Sequence, residues 1–93
     1  MGIFLKDPSA ALDYAIDWGP AYLAGQTIAA STWLAEPAED GGVAVSATIA
    51  SATRTGATFA GGVPGNLYRV ANRVTLSDGR SDERSLVLRI EQR

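Results

Sequence analysis

The feature that most constrains this chain is a period of two. Leu12, Tyr14, Ile16 and Trp18 alternate with Asp13, Ala15 and Asp17. Val43, Val45, Ala47 and Ile49 alternate again, in a run that continues through Thr53. Tyr68, Val70, Val74 and Leu76 share one parity, with Asn72 interrupting the apolar row, and Leu86, Leu88 and Ile90 share theirs. Side chains two apart lie on one face of a strand, so each run predicts a half-buried β-strand. Ala10, Ala11 and Leu12 would suit a helix starting at Ser9, but the strict alternation favours a strand over residues 12–18.

Turn chemistry separates these runs. Gly19-Pro20 ends the first strand, and a second is expected from Thr27 to Leu34. Ile28 and Trp33 have opposite parity there, so one of them faces out or a bulge intervenes. Residues 36–42 read as a polar loop, Thr55-Gly56 as a turn, residues 57–60 as a short strand and Gly61-Gly62-Val63-Pro64-Gly65 as a loop. The hairpin near the end is better specified. A two-residue Asp78-Gly79 loop would pair Val70 with Val87 and send Leu86 and Leu88 to the face opposite Tyr68. A three-residue loop, Ser77-Asp78-Gly79, pairs Val70 with Leu86 and Tyr68 with Leu88, with Gly79 in the left-handed position of a bulge. All the apolar residues then share one face, so the longer loop is expected.

Six or seven short strands without a long helix predict an all-β sandwich or small barrel. Tyr68 decides for the sandwich. It opens the penultimate strand just after a Pro/Gly turn, as in the tyrosine corner of immunoglobulin-like and fibronectin type III domains. The expected fold is such a β-sandwich of about seven strands over residues 9–93, preceded by an extended arm, residues 1–8. Tyr14, Trp18, Trp33, Tyr68 and Gly79 are its structural residues.

Composition narrows the chemistry. The 93 residues include 16 Ala, which leaves a thin core of larger apolar side chains. Cys and His are both absent, which removes disulfides, thiolate chemistry, the commonest general base and the commonest zinc ligand. Asp13 and Asp17 sit about 13 Å apart along a strand, too far to share one substrate atom. Asp78 to Glu83 lacks the spacing and terminal bidentate Glu of a calcium loop. No nucleophile elbow or phosphate loop occurs. Neither catalysis nor a cofactor is expected. Tyr14, Trp18, Tyr22 and Trp33 could form a platform for a sugar ring, but large aromatics are first of all what fills a thin core.

Charge is divided along the chain. Residues 1–50 carry six carboxylates against Lys6 alone, and residues 51–93 carry seven Arg against four carboxylates. The two halves of the charge suit either paired, solvated strand faces or complementary patches between subunits. With a pI near 4.9 and no basic block, nucleic acid is not an expected partner. No apolar run suits a signal peptide or a membrane span, so a soluble chain made in the cytoplasm is expected. Ile3, Phe4 and Leu5 are consecutive apolar residues ahead of Lys6 and Asp7-Pro8. Strand alternation sends at least one of them to solvent in a monomer, so Ile3, Phe4, Leu5, Lys6 and Asp7 are the candidate interface. The arm pairs either with its own sheet edge or with a neighbouring subunit, and in an assembly the second is favoured.

Lys6-Asp7-Pro8, Leu12-Asp13-Tyr14, Ile16-Asp17-Trp18, Leu23, Gly25, Thr27-Ile28 and Ser31-Thr32-Trp33 carry a family likeness, as do residues 68–75 and 79–86. Together they resemble a family of small structural proteins of tailed bacteriophages and prophages, often described as fiber–tail adaptors. The resemblance implies an immunoglobulin-like, non-catalytic virion component, assembled in the host bacterial cytoplasm. It would be repeated in a ring or collar around the tail or its junction with the head. Its partners would be tail, connector and fiber proteins, with neither nucleic acid nor membrane among them. A capsid decoration protein and a carbohydrate-binding sandwich on the virion surface are the alternatives.

Overall fold

A computed structural model describes residues 3–92. Among them seven strands and one helical turn follow in order: β1 (Ile3–Lys6), β2 (Leu12–Asp17), α1 (Pro20–Leu23), β3 (Ile28–Glu36), β4 (Val43–Ala50), β5 (Arg54–Gly61), β6 (Leu67–Leu76) and β7 (Ser81–Ile90). They form a four-stranded sheet, β1-β7-β6-β3, and a three-stranded sheet, β2-β5-β4. The sheets face each other across a shared apolar core, so the fold is an all-β sandwich.

The hairpin register follows from keeping the apolar residues together. Tyr68 pairs with Leu88 and Val70 with Leu86. Leu76 and Arg80 close a three-residue loop in which Gly79 has φ +92°, the left-handed region that favours glycine. Ile28 and Trp33 both reach the core side because the β3–β6 register shifts between Ile28 and Ala30. That bulge reconciles their opposite parity.

Three local expectations change. Thr55-Gly56 lies near the start of β5, not in a turn; the turn precedes it, where the Ser51 N–H donates to the Arg54 carbonyl at 2.8 Å. Gly56 is there for proximity, since a Cβ would lie 3.0 Å from Ile49 and 3.2 Å from the Tyr14 carbonyl oxygen. Ile49 does not share the core face with Val43 and Val45. A bulge between Ser46 and Ile49, with Ala47 at φ +49°, flips the parity and leaves Ile49 65% exposed, and β4 ends at Ala50 rather than Thr53. Gly19-Pro20 not only ends β2 but starts α1, with Pro20 in the first turn, and this single turn buries Leu23.

The core has two apolar clusters. One gathers Ala57, Phe59, Tyr68, Val70, Leu86, Leu88 and Ile90; the other gathers Ile16, Trp18, Leu23, Val74 and Leu76. Each fully buried large apolar side chain contributes about 1.5–3 kcal/mol. Tyr14 and Trp33 pack against both clusters. Asn72, the residue that interrupts the apolar row of β6, is fully buried at the boundary. Its Oδ1 accepts the Thr55 hydroxyl at 2.6 Å, and its Nδ2 donates to Ser31 Oγ and the Thr32 carbonyl, both at 2.9 Å. Thr55 in turn accepts the Trp18 indole N–H at 3.1 Å. One chain of hydrogen bonds thus ties the two sheets together through the core.

Candidate functional site

The arm residues lie on the edge of the four-stranded sheet. β1 pairs in parallel with β7, in the register Ile3–Val87 to Lys6–Ile90, so this chain's own sheet edge receives it. Residues 1 and 2 of the expected arm lie outside the described residues. Alternation then divides the strand. Ile3 and Leu5 turn outward and are 72% and 49% exposed. Phe4 turns toward the core side and meets Tyr14 edge-on, with ring centroids 5.7 Å apart.

Lys6 follows Phe4 inward and is only 3% exposed. Its Nζ donates to the Gly61 carbonyl at 2.7 Å and to the Asp7 carbonyl at 2.9 Å. Burial pushes the Lys6 ammonium below its ordinary pKa, against the opposing pull of the Asp7 carboxylate. Asp7 closes the strand: its Oδ1 accepts the Ser9 N–H at 2.8 Å and the Ser9 hydroxyl at 2.6 Å. Of the five candidate interface residues, Ile3 and Leu5 are therefore the ones presented outward, Phe4 is partly so, and Lys6 and Asp7 anchor the strand.

The outer face around Ile3 and Leu5 is mixed. Register places Val87 and Arg89 of β7, Leu67, Arg69, Ala71 and Arg73 of β6, and Leu34 and Glu36 of β3 on this face. Leu34 and Leu67 are exposed large apolar residues. Arg69 pairs with Glu83 and Arg89 with Glu91, each at 3.0 Å. Such exposed pairs are worth about 0–1 kcal/mol, so they orient side chains more than they stabilise the sheet. Asp13 and Asp17 lie on the opposite outer face, that of the three-stranded sheet. Asp13 accepts the Thr58 hydroxyl at 2.6 Å and Asp17 accepts the Gly19 N–H at 3.0 Å. The charge division of the sequence is mixed on both faces, since Arg54 stands opposite Asp17 and Glu36 opposite Arg69.

Among the residues read as structural, Tyr68 is fully buried, and its hydroxyl accepts the Val63 N–H at 2.9 Å and donates to Glu39 Oε1. The Tyr68 hydroxyl and the Asn66 amide hold the Glu39 carboxyl below its ordinary pKa. Trp18 is buried, with the Arg84 guanidinium 4.2 Å from its ring centroid and Tyr22 beside it at 5.5 Å. Tyr22 donates its hydroxyl to Asp82, which raises the Tyr22 pKa and lowers that of Asp82. Trp33 packs edge-on against Phe59 at 5.6 Å, and Tyr14 stacks on Phe59 at 6.3 Å. The four aromatics proposed as a platform therefore split: Trp18, Tyr14 and Trp33 serve the core, and Tyr22 is the exposed one.

The family model described as podophage GP4 fiber-tail adaptor protein gp77 matches residues 6–89. The chain belongs to this family. No curated protein matches it. Membership makes the chain a phage structural protein of the fiber–tail adaptor kind. Among the described residues no helix is long and apolar enough to cross a membrane. The exposed Leu34, Leu67 and Ile49 were missed from sequence. For Leu67 the signal was present, since it has the parity opposite to the core row of β6; Leu34 shares the parity of Ile28, and only the bulge after Ile28 puts it on the outer face. Ile49 is exposed only through a bulge.

Proposed function

We propose that this adaptor is a non-catalytic virion component that joins the tail, or the head–tail connector, to fibers. In this reading many copies stand in a ring or collar, and weak interfaces add up through repetition. The described part of the expected arm, residues 1–8, makes its contacts as an edge strand of the sandwich itself and not as a segment outside residues 9–93. The observation that carries the reading is the outer face of β1, where Ile3 and Leu5 stand exposed beside Leu67 and Val87 on the four-stranded sheet. Covering one such side chain is worth about 1.5–3 kcal/mol per copy. The domain is immunoglobulin-like in this reading, supported by the Tyr68 hydroxyl on the backbone five residues upstream.

The arm is a strand of its own sheet, so the test changes its outer face and leaves its pairing intact. The double variant Ile3→Ser, Leu5→Ser is expected to fold, by circular dichroism and thermal melting, and to be lost from purified particles. Incorporation at the wild-type level would overturn the reading and move the interface to the loops or the charged faces.

A further inference from the structure

Three features that cost stability meet at one spot on the outer face of the three-stranded sheet. Parity alone would send Ile49 to the core with Val43 and Val45. The bulge after Ser46 turns it outward instead, and it belongs to neither apolar cluster. The bulge holds Ala47 at φ +49°, a left-handed conformation that a residue with a Cβ adopts at a cost. Gly56, inside β5, forgoes a side chain so that Ile49 can lie across it. None of the three adds to the core of the isolated chain; together they shape a surface.

On this surface Ala15, Gly56 and Ile49 form one rung, and Asp13, Thr58 and Ser46 form the next. Between Ile49 and Asp13 lies a shallow hollow of about 340 Å³, with the small residues Ala15, Ala47 and Gly56 around it. Asp13 accepts the Thr58 hydroxyl through one oxygen and forms no ion pair among the described residues. The outer face of the four-stranded sheet is the counterpart. There Leu34 stands 58% exposed. Arg73 is its diagonal neighbour across the β3–β6 ladder. Glu83, opposite Arg73, pairs with Arg69 instead, so Arg73 forms no ion pair among the described residues. One face thus offers a hollow beside a carboxylate, and the other a leucine beside a guanidinium.

We propose that the Ile49 surface receives a second copy of this chain, whose Leu34 seats in the hollow and whose Arg73 meets Asp13. The two faces lie on opposite sides of one sandwich, so the contact is head-to-tail. Each copy gives its four-stranded face to one neighbour and its three-stranded face to the next, and such a contact makes a ring where the rotation closes. The face that carries Leu34 also carries the exposed Ile3, Leu5 and Leu67, so the contact is continuous with the surface proposed above. Small residues around the hollow let the two sheets approach closely, and the charge pair fixes their register. The choice of a second copy rests on the repeated-copy reading above; the shape of the Ile49 surface does not.

The chain has no cysteine, so Leu34→Cys and Ile49→Cys place thiols at two chosen, exposed points. Particles whose chain carries both are treated with a short bis-maleimide and run on a denaturing gel. A ladder of joined copies is expected, with each single variant remaining almost wholly monomeric. Dimers from a single variant at the level of the pair would show a two-fold contact and overturn the head-to-tail arrangement. Monomer alone from the pair would overturn the contact and leave the adaptor reading standing. A cross-link to a different virion protein would overturn the choice of partner. Absence of the wild-type chain from particles would overturn the adaptor reading and this proposal together. Ile49→Arg sets a cation against the incoming Arg73. It is expected to melt as the wild type does and to be depleted from particles on the order of tenfold. If the cysteine pair is itself kept out of particles, this variant decides. Entry at the wild-type level would overturn the proposal, and depletion of a normally folded chain would uphold it.

Discussion

Trp18 and Trp33 border the same core and are treated in opposite ways. Trp18 ends the apolar row of β2, is buried, and donates its indole N–H to Thr55, which passes the chain of bonds on to Asn72 and β3. Trp33 projects from β3 against Phe59 and lines a cleft with Tyr14 and Ile16, and its indole N–H has no partner among the described residues. Satisfying the first donor placed two further polar side chains, Thr55 and Asn72, in the apolar interior, with the partly buried Ser31 at the end of the chain of bonds. The second donor depends on whatever acceptor reaches the cleft beside it, water included. The contrast separates a donor satisfied inside the protein from one whose acceptor must come from outside it, from solvent or from a partner.

The largest expected effect breaks the satisfied side. Asn72→Ala leaves the Thr55 hydroxyl without its acceptor and opens a void between the two clusters, and a loss of about 3 kcal/mol is expected in urea unfolding. Trp18→Phe comes next, at about 2 kcal/mol, because it removes one bond of the network and part of the surface on which Arg84 stacks. Tyr68→Phe follows at about 1 kcal/mol, for the lost bond to Val63.

That third variant also has a pH signature. The Tyr68 hydroxyl is the largest of the influences holding Glu39 below its ordinary pKa. A carboxyl depressed in the folded state contributes stability that is fully present above its unfolded pKa and is lost as pH falls through the folded value. Tyr68→Phe should therefore flatten the acid limb of the stability curve, with the difference from wild type shrinking as Glu39 protonates. An unchanged acid limb would show that the Tyr68–Glu39 contact does not matter to folding.

Legibility in the sequence followed the strength of the local signal. The β6–β7 register could be read because one wrong step would have sent Leu86 and Leu88 to solvent, and Gly79 supplied the loop that avoids it. The Tyr68 corner could be read because a Pro/Gly turn preceded it. Ile49 could not, since a bulge is a backbone event that its small neighbours Ala47 and Thr48 permit but do not announce. Gly56 was misread as a turn because a glycine chosen for close approach looks the same in sequence as one chosen for φ. Lys6 was read with Ile3, Phe4, Leu5 and Asp7 as interface, and its inward course depends on pairing with a strand more than eighty residues away. The cleft was illegible for a similar reason. It lies between strands far apart in sequence, with Tyr14 and Ile16 on one side and Glu83 to Leu86 on the other, and no local pattern encodes where they come together.

The smallest expected change in stability is the one that best sharpens the comparison. Trp33→Phe deletes the same atoms as Trp18→Phe. At position 18 that deletion breaks a made bond; at position 33 it removes a donor that has none. The lost packing against Phe59 and the relief of the unsatisfied N–H oppose each other, so a net loss below about 1 kcal/mol is expected, well short of the effect at Trp18. Parallel urea titrations of the two variants read the difference directly. If the two losses were equal, the Trp33 indole would be satisfied in solution, by water entering the flank, and the contrast between the two tryptophans would disappear. If Trp33→Phe melts like wild type yet enters particles poorly, the indole N–H acts in assembly and not in folding, because nothing in the isolated chain depends on it.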